Sequence, residues 1–171
     1  MTVKALTFDV IGTVFDWLGS FSAGVVPLAQ QYGLSIDPVA FANGAEQGYG
    51  DGVAKVVHGG AWVPPDKLLR DSIAALLAAG GRTPSANEVD NFFTLWRTLN
   101  PWADLPLALY ALHDHFTLAI LSNMSMVTAS ALMDHAGLPF DRTLSAETVH
   151  AYKPSPAVYQ MAISSLGLPP D

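Results

Sequence analysis

The sequence contains no cysteine, and only 13% of its 171 residues are charged. The missing thiols exclude disulfide bonds, cysteine nucleophiles and zinc–thiolate sites. Eight basic residues oppose fifteen acidic ones, which gives a formal net charge of −7, and no run of Lys or Arg interrupts this excess. The charge would repel a polyphosphate, so we expect no nucleic-acid partner.

Long apolar runs are also missing. The segment before Asp9 is too short for a membrane span and lacks the layout of a signal peptide, so we expect no membrane partner and residence in the cytoplasm. Half of the residues are hydrophobic, which excludes a disordered chain. The length suits one core domain with a modest insertion.

The hydrophobic pattern predicts an α/β protein. Residues 3–8 form a short apolar run that ends at a carboxylate and indicates a buried strand. The pattern is helical from residue 18 to about 99, and Gly and Pro interrupt it. Further on, it predicts helices at 104–115, 127–136 and 156–166, with strands at 116–121 and 142–145 between them. This alternation is typical of a parallel sheet.

Within the helical section, two helices are indicated clearly. Residues 67–79 have apolar side chains at helical spacing, and Ser85 and Glu88 have the spacing of a capping box before a second helix. The stretch 41–60 predicts at most a marginal helix, because its glycines, Gly44, Gly48, Gly50 and Gly52, would each cost about 1 kcal/mol relative to Ala.

Polar residues follow all three predicted strands. Asp9 and Thr13 come after the first strand, Ser122 and Asn123 after the second, and Lys153 shortly after the third. Taken singly, Asp9 is typical of a turn, Ser122 and Asn123 of a helix N-cap, and Lys153 of a side chain in solvent. Ligands bind beyond the carboxyl ends of parallel strands, where these groups together could supply a nucleophile, hydrogen-bond donors and a cation.

Three segments resemble the first three motifs of the haloacid dehalogenase superfamily, most closely its type II (S)-2-haloacid dehalogenases. They are residues 8–16, 121–123 and 152–159, with the sequences FDVIGTVFD, LSN and YKPSPAVY. The likeness extends over the whole chain and is weakest between about 33 and 81. It implies a Rossmann-like core with a parallel sheet, at residues 1–14 and 100–171, and an inserted α-helical cap at 15–99.

The resemblance also implies a reaction. Asp9 would attack carbon 2 of a small 2-halo acid, displace halide and form an ester that water hydrolyses, without a cofactor or a metal. Lys153 would pair with Asp9, because a nearby cation favours the carboxylate form. The remaining expected site residues are Thr13, Ser122 and Asn123, as hydrogen-bonding groups, and Ile11, Trp102 and Tyr159, as substrate-binding residues.

A phosphatase acting on a small phosphorylated metabolite is the first alternative. The superfamily's phosphatases resemble this chain but carry a second aspartate two residues after the nucleophile, where this chain has Ile11. Such a general acid is worth about 10²–10⁴-fold in rate, and a departing halide does not need one. Asp16 is the only nearby substitute. Magnesium would be expected only under this alternative.

Two departures from the family pattern leave a second alternative open, an inactive remnant that keeps only a binding role. Glu46 stands where the cap of the family has an arginine, and Lys55 or Arg70 could compensate. The chain also ends before the fourth motif, so we expect it to be truncated and its sheet incomplete at the C-terminus. An uncovered strand edge would then favour a homodimer.

Overall fold

The computed structural model describes residues 3–79 and 81–168, so the outer ends of the expected core, 1–2 and 169–171, lie outside the described residues. The strands are β1 (Ala5–Phe8), β2 (Phe15–Asp16), β3 (Asn100–Pro101), β4 (Thr117–Ser122) and β5 (Arg142–Ser145). The helices are α1 (Trp17–Gln31), α2 (Pro38–Val57), α3 (Pro65–Leu77), α4 (Ala86–Thr94), α5 (Leu105–His113), α6 (Met126–Ala136) and α7 (Pro156–Leu166). Among the described residues, no helix has the length and apolar character that crossing a membrane requires.

Three parallel strands form the main sheet, in the order β1–β4–β5. Phe8 pairs with Ile120, and Ser122 pairs with Ser145. The carboxyl ends of the strands therefore meet at one edge of the sheet, and Asp9 follows β1 directly at that edge. The predicted α/β fold with a parallel sheet is confirmed.

A short antiparallel ribbon of β2 and β3 brackets the helices α1 to α4. Phe15 pairs with Pro101 in this ribbon, and the backbone N–H of Trp102 donates to the carbonyl of Val14 at 3.1 Å. The ribbon lies at both boundaries of the expected cap. The division into a core at 1–14 and 100–171 and a cap at 15–99 remains a prediction.

Helix α2 corrects the expectation of a marginal helix at 41–60, because it runs for 20 residues. Three of its glycines lie one turn apart and face α3. A Cβ on Gly44 would lie 2.9 Å from Leu76 Cδ2, and a Cβ on Gly52 would lie 2.6 Å from Leu68 Cδ2. The missing side chains let α3 approach closely, and this packing offsets the propensity cost that the sequence indicated.

The helical section and the sheet share one apolar core. Phe21, Phe41 and Phe92 from the helical section belong to the same buried cluster as Ile120 of β4 and Leu132 of α6. A smaller cluster packs α7 against the other face of β4 and β5. The shared core holds α2 and α3 above the edge of the sheet that carries Asp9.

Candidate active site

Asp9 and Lys153 form an ion pair at the carboxyl edge of the sheet. The Lys153 ammonium donates to Asp9 Oδ1 at 2.5 Å and to the carbonyl of Leu121 at 2.7 Å. The Lys153 side chain is 19% exposed and that of Asp9 is 47% exposed. The lysine is therefore held by the end of β4, while the carboxylate stays accessible for a reaction.

Two contacts hold the Lys153 loop in place. Its backbone N–H donates to Asn123 Oδ1 at 2.8 Å, which links it to the end of β4. The neighbouring Tyr152 is buried, and its hydroxyl donates at 2.8 Å to the carbonyl of Val63, between α2 and α3. Burial raises the pKa of the Tyr152 hydroxyl, so it remains a donor. The position of Lys153 thus depends on both the sheet and the helical section.

The loop after β1 turns back on itself at Gly12. Gly12 has a φ of 79°, in the left-handed region that favours glycine, and its N–H donates to the carbonyl of Phe15 at 3.1 Å. This turn brings the Thr13 hydroxyl to 3.5 Å from Asp9 Oδ2, at the outer limit of a hydrogen bond. One oxygen of Asp9 therefore accepts from the lysine, and the other accepts, within the described part of the chain, this long hydrogen bond alone.

A cavity of about 200 Å³ opens beside Asp9. Its wall combines the strand ends with residues of α2, α3 and α6. The lining residues are Asp9, Ile11, Glu46, Tyr49, Pro65, Asp66, Leu69, Trp96, Ser122, Asn123, Met124 and Thr128. The volume suits a ligand of a few heavy atoms.

The structure brings six of the eight expected site residues together. Asp9, Ile11, Ser122 and Asn123 line the cavity, and Thr13 and Lys153 contact Asp9. Ser122 is buried, and its hydroxyl oxygen accepts the Met124 N–H at 3.1 Å. The roles assigned to these residues remain predictions.

The other two expected residues lie outside the cavity wall. Trp102 is 43% exposed, and its indole N–H donates to the carbonyl of Gly12 at 3.4 Å. Tyr159 is 45% exposed on α7. Substrate binding by either residue remains a prediction, and no contact with the cavity supports it.

Sequence reasoning missed Tyr49 as a cavity residue. Its hydroxyl donates to the backbone carbonyl of Asn123 at 3.0 Å and so connects α2 with the end of β4. Desolvation raises the pKa of Tyr49 well above its ordinary value, and nearby carboxylates, including Asp66 and Asp9, add to the shift. The available signal was its spacing of three residues from Glu46, which places both side chains on one helix face.

Asp66 and Thr128 were also missed. Asp66 lies in the first turn of α3, and its two carboxylate oxygens are 3.1 and 3.2 Å from the Thr128 hydroxyl of α6. Arg97 lies 4.0 Å from the same carboxylate. The two residues are 62 positions apart, so no local pattern could have paired them.

The residues considered as compensating for Glu46 do not line the cavity. Glu46 does line it, whereas Arg70 pairs with Asp90 and stacks over the ring of Phe93. Lys55 lies in the last turn of α2, also outside the wall. The structure therefore provides no compensation for Glu46 from these two residues.

Asp16, the only nearby substitute for a phosphatase acid, has a structural role. Its carboxylate accepts the Gly19 N–H at 3.0 Å and caps the N-terminus of α1. Within residues 3–79 and 81–168, no three acidic or histidine side chains come close enough together to hold a metal ion. The capping contact of Asp16 therefore does not support a role as the phosphatase acid.

A family model described as "haloacid dehalogenase-like hydrolase" matches residues 3–171. The chain belongs to this hydrolase family. A defluorinating L-2-haloacid dehalogenase of known structure superposes with a TM-score of 0.92 at 30% identity, over 98% of this chain and 70% of that one. A second L-2-haloacid dehalogenase structure gives 0.92 at 32% identity, over 99% and 73%.

A curated relative matches a shorter part of the chain in sequence than the solved structures do. The (S)-2-haloacid dehalogenase of Pseudomonas sp. (strain YL) is 42% identical over 73 residues, which is 41% of this chain. This match covers 32% of that curated relative's length. The similarity to a haloacid dehalogenase-like hydrolase that the motifs indicated is confirmed.

Proposed function

We propose that the chain is a hydrolase of the 2-haloacid dehalogenase type, which cleaves the carbon–halogen bond of small 2-halo acids. The observation that carries the proposal is the accessible Asp9 carboxylate, paired with Lys153 at the mouth of a small cavity. Relatives whose names describe L-2-haloacid dehalogenases support the substrate class. The residue roles below belong to the same proposal.

In the first step, an oxygen of Asp9 attacks carbon 2, and the halide leaves with the bonding electron pair. Asp9 Oδ2 suits the attack because, among the described residues, the one hydrogen bond it accepts is the 3.5 Å approach of Thr13, whereas Oδ1 holds the lysine. The cavity fixes the substrate near this oxygen, which makes the displacement effectively intramolecular. Ile11 contributes an apolar wall, and a departing halide needs no proton from it.

In the second step, water attacks the carboxyl carbon of the Asp9 ester and releases a 2-hydroxy acid. Lys153 stays beside the carboxyl group because the carbonyl of Leu121 also holds it. Its charge would stabilise the negative charge that develops on the ester oxygen. The reaction consumes one water, releases one proton with the halide and uses no cofactor.

The test is halide release from 2-chloropropionate by the wild type and by Asp9→Asn. We expect release by the wild type and none above background for the variant. Asp134→Asn removes an exposed carboxylate of α6 outside the cavity and serves as the matched control. Folding of each protein is checked by circular dichroism.

A single turnover in ¹⁸O-water sharpens the test. Since the product hydroxyl comes from Asp9, the first product should carry unlabelled oxygen, and the label should enter the Asp9 carboxylate. Labelled product in the first turnover would contradict the ester route. Folded wild type without halide release would refute the dehalogenase proposal.

The same assays address the alternatives. Magnesium-dependent release of phosphate from small phosphate esters would promote the phosphatase. The absence of both activities would favour an inactive protein with a binding role. Homodimer formation and cytoplasmic residence remain predictions from the sequence.

A further inference from the structure

The cavity wall has an unbalanced charge. It contains the carboxylates of Asp9, Glu46 and Asp66, and among the described residues no Lys, Arg or His lines it. The remaining lining residues are apolar or uncharged. A ligand inside the cavity therefore meets negative side chains directly and positive ones only behind them.

Two of the three carboxylates are already engaged. Asp9 pairs with Lys153 at 2.5 Å, and Asp66 accepts from Thr128 and lies 4.0 Å from Arg97. The charges of Lys153 and Arg97 and the hydroxyl of Thr128 act on these two carboxylates. They offset the negative charge of Asp9 and Asp66 before a ligand enters.

Glu46 is the exception. It is half-buried on α2, and within the described part of the chain it forms neither a hydrogen bond nor an ion pair. The one hydroxyl on the same helix face, that of Tyr49, already donates to Asn123. The charge of Glu46 is therefore the one that a ligand in the cavity meets without compensation.

We propose that Glu46 determines substrate charge, so that the cavity favours a neutral 2-halo amide over the 2-halo acid of the same size. A substrate carboxylate would face Glu46 with no cation among the described residues of the wall, and like charges repel each other in a partly buried site. An amide has nearly the same shape, carries no charge and can donate its N–H to Glu46. The proposal rests on halide displacement by Asp9.

The reaction balances as it does for the acid. The bond from Asp9 to carbon 2 forms while the carbon–halogen bond breaks, and the halide leaves with the electron pair. Water then cleaves the ester at the Asp9 carboxyl carbon, which yields the 2-hydroxy amide, a free carboxylate and one proton. Glu46 takes no part in bond making, so its replacement should change selectivity more than the turnover of the preferred substrate.

The experiment compares kcat/KM for 2-chloropropionamide and 2-chloropropionate in the wild type, Glu46→Gln and Asp51→Asn. The first variant removes the charge and keeps the shape. The control removes a charge from the same helix, since Asp51 is exposed, accepts from the Gln47 side chain at 2.8 Å and does not line the cavity. We expect the wild type to prefer the amide.

Glu46→Gln should shift the amide-to-acid ratio towards the acid by about tenfold, which corresponds to ~1.4 kcal/mol. Asp51→Asn should leave the ratio within about twofold of the wild type, because an exposed charge is screened by water and salt. A wild type that prefers the acid, or equal shifts in both variants, would overturn the proposal.

Binding of product-like ligands separates this inference from the proposed function. Lactamide and lactate do not react, so their dissociation constants can be measured by calorimetry whether or not the protein releases halide. Tighter binding of lactamide that is lost in Glu46→Gln supports the role of Glu46 even for an inactive chain. Equal binding of both ligands by the wild type would refute it.

Discussion

The contact between α2 and α3 can be tested by adding one methyl group. A Cβ on Gly48 would lie 2.9 Å from Ser72 Cβ, and the hydroxyl of Ser72 would be closer still. Ser72 is held in place, because its hydroxyl donates to the carbonyls of Gly44 and Ala45 at 3.3 and 3.0 Å. Gly48→Ala should therefore push the two helices apart.

The magnitude follows from two opposing effects. Overpacking a well-packed contact costs about 1–3 kcal/mol, and replacing glycine by alanine inside a helix returns up to about 1 kcal/mol. We expect Gly48→Ala to destabilise the protein by about 1–2 kcal/mol. Gly50 provides the matched control, because nothing lies within 4 Å of its Cβ position. Gly50→Ala should stabilise by about 0.5–1 kcal/mol, since it gains helix propensity without a clash.

The two variants should therefore differ by roughly 2 kcal/mol with opposite signs. At about 2–4 °C per kcal/mol for a chain of this size, their Tm values should separate by about 4–8 °C. Urea titrations at constant m-value would confirm that the native state is the one affected. If both substitutions raised Tm equally, the close approach of α2 and α3 would be wrong.

Two further predictions concern charged groups. Lys153→Met should lower kcat for halide release by about 10²-fold or more, because the cation beside Asp9 is lost, and Lys153→Arg should not restore kcat, since a planar guanidinium does not reproduce the ammonium contacts. The free energy of unfolding should change by less than ~1 kcal/mol in Lys153→Met because Asp9 is half exposed. A loss of unfolding free energy that exceeds the rise in activation free energy would contradict the assignment. The Ser85 N–H and the Arg82 guanidinium hold the pKa of Glu88 at about 2, below its ordinary 4.5. The contribution of Glu88 to stability is therefore present above pH 4.5 and is lost as the pH falls towards 2. Glu88→Gln should make the urea midpoint less dependent on pH in this range, and an unchanged dependence would exclude Glu88 as the cause.

The sequence predicted the sheet well because local patterns determine it. Strands were predicted at 3–8, 116–121 and 142–145, where the structure has β1, β4 and β5, and Ser85 and Glu88 form the expected capping box at α4. The 20-residue helix α2 was underestimated. The cost of glycine to helix propensity can be read from the local sequence. The benefit of Gly44 and Gly48 is the close packing of α3, and the pattern of a single sequence does not show which helix will pack there.

The candidate site divides in the same way. Asp9, Asn123 and Lys153 follow strand ends, and a parallel sheet brings such ends together, so their positions after the predicted strands, together with the motifs, sufficed to predict their proximity. Tyr49 and Asp66 come from helices that cross above this edge. Their place in the wall depends on packing between segments far apart in sequence, which no spacing rule supplies.

The reacting groups and the opposite wall of the cavity stand on different parts of the fold. Asp9 and Lys153 meet at the carboxyl edge of the sheet, whereas Glu46 and Tyr49 belong to α2, which packs on α3. A change in the glycine contact at Gly48 should therefore displace these two side chains relative to Asp9 while the Asp9–Lys153 pair stays intact. Gly48→Ala should raise KM more than it lowers kcat, whereas Lys153→Met should act mainly on kcat. A Gly48→Ala enzyme with unchanged KM would mean that the wall is held by the Tyr49 hydroxyl on Asn123 rather than by the packing of α2 on α3.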